Sequence, residues 1–127
     1  MYNNSAHGIG ISGLSGTGVI DANATDSLAT NNGLAGFAVS SGVGFGTSSF
    51  MIIRSVTANN ATGIVATNNP TDLGLGPANL GIGQSTVFGN GKGWDGNYPA
   101  FNTGGDNNIF NNAVNNNFDL FGQYRRQ

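Results

Sequence analysis

The chain has 127 residues, a net charge of −2, no cysteine and only 8% charged residues. Four basic residues are too few for a phosphate-binding surface, so we expect no nucleic-acid partner, and without cysteine there are no disulfides or thiolate metal ligands. No apolar run is long enough to span a membrane, and the first residues lack a secretory signal. The 22 glycines and 20 asparagines, together with many Ser and Thr, suit an exported or cell-surface protein.

A repeated pair of asparagines begins near the start of the chain. Each of the first three pairs is followed by glycine and a bulky apolar residue, and the pairs are Asn3-Asn4, Asn31-Asn32 and Asn59-Asn60. They are spaced by 28 residues, and a fixed period of this size indicates stacked repeats. Residues 54–64 align with 84–94 at an offset of 30, which adds Asn90, and Asn111-Asn112 follows 22 residues later.

Short apolar segments within each repeat predict β-strands. They are bounded by Gly, Asn, Asp or Ser, and no helical periodicity is present. In chain order the segments are 8–11, 18–20, 37–39, 50–53, 63–65 and 80–82. Asparagine suits the bends between strands because it tolerates the left-handed backbone region. We also expect the repeated amides to stack from coil to coil as a structural ladder, formed by Asn3, Asn4, Asn31, Asn32, Asn59, Asn60, Asn90, Asn111 and Asn112.

The sequence predicts one body of stacked coils over residues 1–114, with loops near 68–79 and 91–103. Residues 115–127 are expected to form a C-terminal cap, since Phe118, Phe121 and Tyr124 recur every three residues. A comparable cap is not evident at the N-terminus, where the repeat begins at Asn3. Because an exposed terminal coil presents an open sheet edge, we expect an upstream β-helix segment or another copy of the chain to cover it.

The repeats resemble the right-handed parallel β-helix proteins of bacteria, the superfamily that includes pectate lyases. The resemblance rests on residues 52–64 and on the closing stretch 104–112, and it extends over roughly residues 3–114 as the C-terminal portion of such a protein. It implies an all-β solenoid of about four coils. It does not select an activity, because this fold carries lyases, hydrolases, adhesins and phage spikes. The glycine-rich rungs and the lack of an N-terminal capping helix depart from the family pattern.

Catalytic chemistry of the pectinolytic kind would need clustered carboxylates. The chain has no Glu, and its six Asp residues do not recur in register, so we expect them to lie in solvated turns: Asp21, Asp26, Asp72, Asp95, Asp106 and Asp119. Arg54 follows an apolar strand and either binds a sugar or carboxylate or pairs with a nearby Asp. His7 is the only histidine, so neither a metal cluster nor a catalytic triad is expected.

The strongest candidate for ligand binding is an aromatic segment near residue 94. Trp94, Asp95 and Tyr98, with Lys92 beside them, would stack on a sugar and bond its hydroxyls. The alternative is burial, because Trp94 aligns with Ile64 of the preceding repeat. That alignment favours a place in the core.

The sequence therefore favours a non-enzymatic structural or binding module of an exported protein that self-associates through its uncapped first coil. Polysaccharide is a possible ligand, and no cofactor or metal is expected. A carbohydrate-active enzyme, or a fragment of one, is the first alternative. The second is ice binding, for which Thr25, Thr57 and Thr86 are suitably spaced but lack the paired threonines of a flat ice face.

Overall fold

A computed structural model describes residues 1–42, 44–68, 78–97, 100–103 and 106–114. These segments contain twelve strands and no helix. The strands are β1 (Ile9–Ser12), β2 (Ile20–Thr25), β3 (Leu28–Thr30), β4 (Ala35–Ser41), β5 (Ser48–Ile53), β6 (Val56–Ala58), β7 (Thr62–Asn68), β8 (Ala78–Gly83), β9 (Thr86–Phe88), β10 (Lys92–Asn97), β11 (Ala100–Thr103) and β12 (Asn108–Phe110).

Every third strand pairs in parallel, which produces three four-stranded sheets. The first sheet has the order β1-β4-β7-β10, the second β2-β5-β8-β11 and the third β3-β6-β9-β12. The chain thus visits the three sheets in turn and then returns to the first. We call the successive triplets units 1 to 4, beginning with β1–β3. This all-β arrangement is not a closed barrel and is compatible with a β-solenoid.

The length of the repeat varies mainly because the connections between the first and second sheets differ in length. The intervals there are residues 13–19, 42–47, 69–77 and 98–99, or seven, six, nine and two residues. Elsewhere the spacing changes little, so Ile9 pairs with Phe37 and Phe37 with Ile64. Trp94 pairs with Ile64, as the sequence alignment predicted.

Two corners in units 1 to 3 use residues in the left-handed backbone region, and so does the last asparagine pair. At the corner between the third and first sheets, these are the first asparagines of the pairs, or glycine in one unit: Asn3, Asn31, Asn59, Gly89 and Asn111, with φ of 53–64°. At the corner between the second and third sheets they are Asp26, Arg54 and Gln84, with φ of 47–51°. Asparagine and glycine adopt this conformation at low cost, which explains the first position of each pair.

The second asparagine of each pair lies in a continuous amide ladder. We use the name asparagine ladder for Asn4, Asn32, Asn60, Asn90 and Asn112. In each of the first four, the side-chain Nδ2 donates to Oδ1 of the next at 2.8–3.0 Å. The backbone N–H donates to the same oxygen at 2.8–3.2 Å. Each rung therefore satisfies polar groups that burial would otherwise leave unpaired.

A second polar ladder follows the other left-handed corner. The backbone N–H of Ser27 donates to Oγ of Ser55, that of Ser55 to Oγ of Ser85, and that of Ser85 to Oδ1 of Asn107. The distances are 2.9–3.1 Å. The two ladders hold the same pair of corners in register from unit to unit, whatever the length of the remaining connection.

Apolar side chains between the sheets stack in columns that follow the strand register. The first sheet contributes Ile9, Phe37, Ile64 and Trp94, and the last three are buried. The second sheet contributes Phe50 and Leu80, and Phe50 meets Phe37 edge to face with ring centroids 6.1 Å apart. Like residues therefore cover one another along the stack, and the core is continuous through the units.

At the C-terminal side the structure differs from one expectation, and other expectations fall outside the described residues. The stretch 91–103, expected to be a loop, contains β10 and β11, because its glycines fit beneath the preceding unit: a Cβ at Gly96 would collide with the backbone oxygen of Ala66. The predicted cap at 115–127, Tyr98 and the centre of the predicted loop near 68–79 lie outside the described residues.

The two asparagines of one pair are predicted to differ in their tolerance of substitution. Asn60→Ala removes an acceptor of two bonds and a donor to Asn90, Thr57 and Ala29, so we expect a loss of about 3 kcal/mol in the free energy of unfolding. Asn59→Gly keeps the left-handed corner and is expected to change that free energy by less than about 1 kcal/mol. Urea unfolding measures both. Equal losses would contradict the division of roles.

Candidate functional site

The outer edge of unit 1 is the most distinctive surface of the described residues. We use this name for the side of β1 and β2 that faces away from β4 and β5. Within the described segments, each of these two strands pairs on one side only. The third strand differs, because residues 1–3 run beside it: the N–H of Thr30 donates to the carbonyl of Met1, and the N–H of Asn3 donates to that of Thr30. The open edge therefore spans two of the three sheets.

Exposed apolar side chains concentrate in unit 1 and the segment before it. Nine large apolar side chains are exposed among the described residues, and five of them precede residue 29: Met1, Tyr2, Leu14, Val19 and Leu28. Tyr2 and Val19 are 70% and 68% exposed. Single exposed apolar residues are ordinary, and Leu14 and Val19 are the two that lie in the connection between β1 and β2.

The inner side chains of unit 1 are only partly covered. Ile9 and Ile11 are half-buried, whereas their partners in unit 2, Phe37 and Val39, are fully buried between neighbours on both sides. The difference follows from position, since an interior strand is covered from above and below. A further layer on the outer edge would bury the apolar surface of both isoleucines, a gain of about 25 cal/mol per Å².

The asparagine ladder also reaches this edge. At the interior rungs, Oδ1 of Asn32 and of Asn60 each accepts a backbone N–H and an Nδ2 from the unit before. Asn4 donates in the same way to Asn32, and its side chain is exposed. The edge thus offers the acceptor that the next turn of an identical ladder would use.

Charge is lacking along the first strand of this edge. Residues 1–20 contain no Asp, Glu, Lys, Arg or Pro, and the first charged side chain is Asp21. Proteins commonly protect open sheet edges from pairing with other chains by placing lysine, proline or other charges there. β1 has none of these protective residues.

Arg54 is engaged at an exposed corner. Its Nε and Nη2 donate to the two carboxylate oxygens of Asp26 in the preceding unit, each at 2.8 Å. The hydrogen bonds from this guanidinium lower the pKa of Asp26, and the same bonds raise the pKa of Arg54. The structure thus corresponds to the pairing alternative for Arg54. Such an exposed pair adds little to stability and links adjacent units.

The described residues of the segment predicted to bind sugar do not share one surface. Trp94 is 9% exposed and lies in the core column beyond Ile64, so its ring does not face solvent. Lys92 Nζ lies 2.6 Å from Oδ2 of Asp95, and both side chains are partly exposed. Burial of Trp94 follows from the register of β10 on β7. Lys92 and Asp95 remain partly exposed, whereas the ring of Trp94 is buried.

The other candidate residues are dispersed. Thr57 is buried and donates to the carbonyl of Gly63, and Thr25 lies in the second sheet whereas Thr86 lies in the third. The three threonines thus form no common face. In the part of the chain that the structure describes, no three His, Cys, Asp or Glu side chains converge on a possible metal site. None of these segments forms a helix able to cross a bilayer.

A shallow depression lies on the outer face of the second sheet. Asp21, Ser49 and Asn79 line it in one register row, and Asn23 and Met51 line it in the next. No sequence motif groups these residues, because they lie 28 and 30 positions apart. Their polar groups form a row across three units.

Comparisons with known proteins return no match, whether to protein-family models, to characterised proteins or to solved structures.

The Asp26–Arg54 pair predicts a specific effect on titration. Asp26 contributes stability above the ordinary aspartate pKa, and this contribution is lost as pH falls through its lowered folded-state pKa. Arg54→Gln should raise the pKa of Asp26 toward its ordinary value, as measured by NMR titration. Gln84 occupies the same left-handed corner in the next unit, so glutamine fits the backbone. Lys92→Gln is the control, and an unchanged Asp26 pKa in Arg54→Gln would contradict the pairing.

Proposed function

We propose that the chain is a non-enzymatic structural module of an exported or surface protein, built as a right-handed parallel β-helix of about four coils. Its outer edge of unit 1 docks on a second copy of the chain. The observation that carries the proposal is the open backbone of β1 and β2, together with the charge-free segment before Asp21 and the exposed Leu14 and Val19 between the two strands.

A second copy suits this edge because the chain itself has the strand backbone and apolar side chains that would complement it. Its strands offer backbone groups at the spacing of a parallel or antiparallel neighbour, and its half-buried isoleucines offer an apolar surface. Because the net charge is only −2, electrostatic repulsion between two copies is weak. An upstream β-helix segment, or a different protein, would satisfy the same groups, and a wild-type chain that stays monomeric would favour these over a second copy.

The test uses a substitution that blocks the edge and spares the fold. The N–H groups of Ile20 and Asp26, at even positions, donate to Thr47 and Ile53 of unit 2. Because direction alternates along a parallel strand, the N–H of Asn23 points to the outer edge. Asn23→Pro removes this donor and adds a ring there, which an edge strand tolerates.

We expect the wild-type chain to grow in size with concentration in light scattering. Asn23→Pro should raise the apparent dissociation constant about tenfold, the effect of losing about 1.4 kcal/mol of edge pairing. Asn23→Ala keeps the N–H and is the matched control. Thermal unfolding of the three proteins checks that the fold is retained. A wild-type chain that stays monomeric at high concentration would refute self-association.

Polysaccharide binding is the second candidate, and the polar row on the second sheet favours it. Asp21, Ser49 and Asn79 present a carboxylate, a hydroxyl and an amide in register, which are groups that bond sugar hydroxyls. A glycan array with wild type and Asn79→Ala tests it: binding that the variant loses would support the candidate, and the absence of any glycan signal would reject it.

A further inference from the structure

Two rungs of the asparagine ladder are followed by glycine. The residues after the five ladder asparagines are Ser5, Gly33, Ala61, Gly91 and Ala113. An asparagine before glycine is prone to deamidation, because glycine lacks the Cβ that hinders approach of its backbone nitrogen to the asparagine side chain. Within the ladder, Asn32 and Asn90 are therefore the residues most prone to deamidation. The other rungs have the same geometry and are less reactive.

Packing explains why glycine stands at these two positions. A Cβ on Gly33 would collide with the backbone oxygen of Ser5, and one on Gly91 would collide with that of Ala61. The close stacking of the units thus calls for the residue that makes the preceding asparagine chemically labile.

We propose that Asn32 is a self-modification site, which deamidates when residues 3–7 move away from it. The buried Asn60 prevents the same reaction at Asn90. The backbone nitrogen of Gly33 loses its proton and forms a bond to Cγ of Asn32. The Cγ–Nδ2 bond breaks, and Nδ2 leaves as ammonia with that proton. Water then opens the cyclic imide at either carbonyl, which yields aspartate or its isomer with the chain running through the side chain.

The folded state blocks this reaction by occupying both reacting groups. The N–H of Gly33 donates to the carbonyl of Asn4 at 2.8 Å, and that of Gly91 donates to the carbonyl of Asn60 at 3.0 Å. The side chains are held as well: Asn32 donates to Asn60, and Asn90 donates to Asn112. Reaction at either site requires the covering residue to move away.

The two covers differ in burial. Residues 3–7, which cover Gly33, are all exposed, whereas Asn60, which covers Gly91, is 4% exposed and lies between Asn32 and Asn90 in the ladder. Exposed segments with few buried contacts open at low free-energy cost, and buried ones open at costs near that of global unfolding. Asn32 is therefore the rung that reacts in the folded protein.

The reaction would loosen unit 1 irreversibly. Nδ2 of Asn32 donates to Oδ1 of Asn60 at 2.8 Å, and an aspartate at position 32 places a carboxylate oxygen against that acceptor. Two acceptors at this distance repel, so the rung between units 1 and 2 opens while Asn60 and Asn90 stay bonded. The consequence falls on the unit that carries the outer edge, although the proposal does not depend on the edge having a partner.

The test compares sites within one full-length chain. The protein is incubated at mildly alkaline pH with and without urea, and deamidation at each rung is measured by fragmentation mass spectrometry. In urea, Asn32 and Asn90 should react at similar rates, both faster than Asn60 and Asn112, which precede alanine. In the folded protein, Asn32 should react at least about tenfold faster than Asn90.

A variant tests the role of the cover. Asn4→Ala removes the side chain that donates to Asn32 and should speed deamidation at Asn32 without changing Asn90. Asn23→Ala, an exposed asparagine outside the ladder, is the control. Equal rates at Asn32 and Asn90 in the folded protein, or a folded Asn32 as slow as Asn60, would overturn the proposal. If Asn4→Ala fails to fold, the comparison of the two wild-type sites still decides it.

Discussion

Buried amide-to-amide hydrogen bonding is the constraint on which the rest of this structure depends. A stack of short strands turns three times in each unit, and at the asparagine corner backbone N–H groups are buried and need acceptors. The asparagine ladder satisfies these groups with one residue per unit, whose Oδ1 accepts the N–H and Nδ2 of the rung before. Unpaired, each such group would cost about 1–3 kcal/mol.

Register follows from this requirement. Because a rung bonds only when its neighbour is directly above or below, the asparagine ladder aligns the strands on both sides of its corner. The second polar ladder does the same at the corner between the second and third sheets. The third corner carries no described ladder, and it is there that the unit length varies, from nine intervening residues to two. Apolar columns then stack without mismatch, so that Phe37 covers Ile64 and Ile64 covers Trp94.

The repeat length and the strands of the first two sheets in units 1 to 3 could be predicted from the sequence, because glycine and paired asparagine mark the turns at nearly constant spacing. The roles within a pair could not. Asn59 and Asn60 are the same residue type, and only the backbone shows that the first adopts the left-handed region while the second bonds along the stack. The short strands of the third sheet, such as Val56–Ala58, carry too few residues for a periodic signal.

The surface sites show the same limit. Asp26 and Arg54 pair across 28 positions, and the row of Asp21, Ser49 and Asn79 depends on offsets of 28 and 30 that no local motif encodes. The residue type of Trp94 suggests a ligand-binding surface, whereas its alignment with Ile64 predicts burial. In the structure Trp94 pairs with Ile64 and is buried in the core. The sequence predicts an uncovered first coil, whereas the exposure of Leu14 and Val19 beside it required the structure.

Hydrogen exchange at the ladder tests the role of the buried amides most directly. The backbone N–H and Nδ2 groups of Asn32, Asn60 and Asn90 should exchange as slowly as the strand amides of the core, because opening a rung requires separating two units. NMR resolves each group in the intact chain. Exchange of the Asn60 amides at the rate of exposed turns would contradict a ladder that holds the units together.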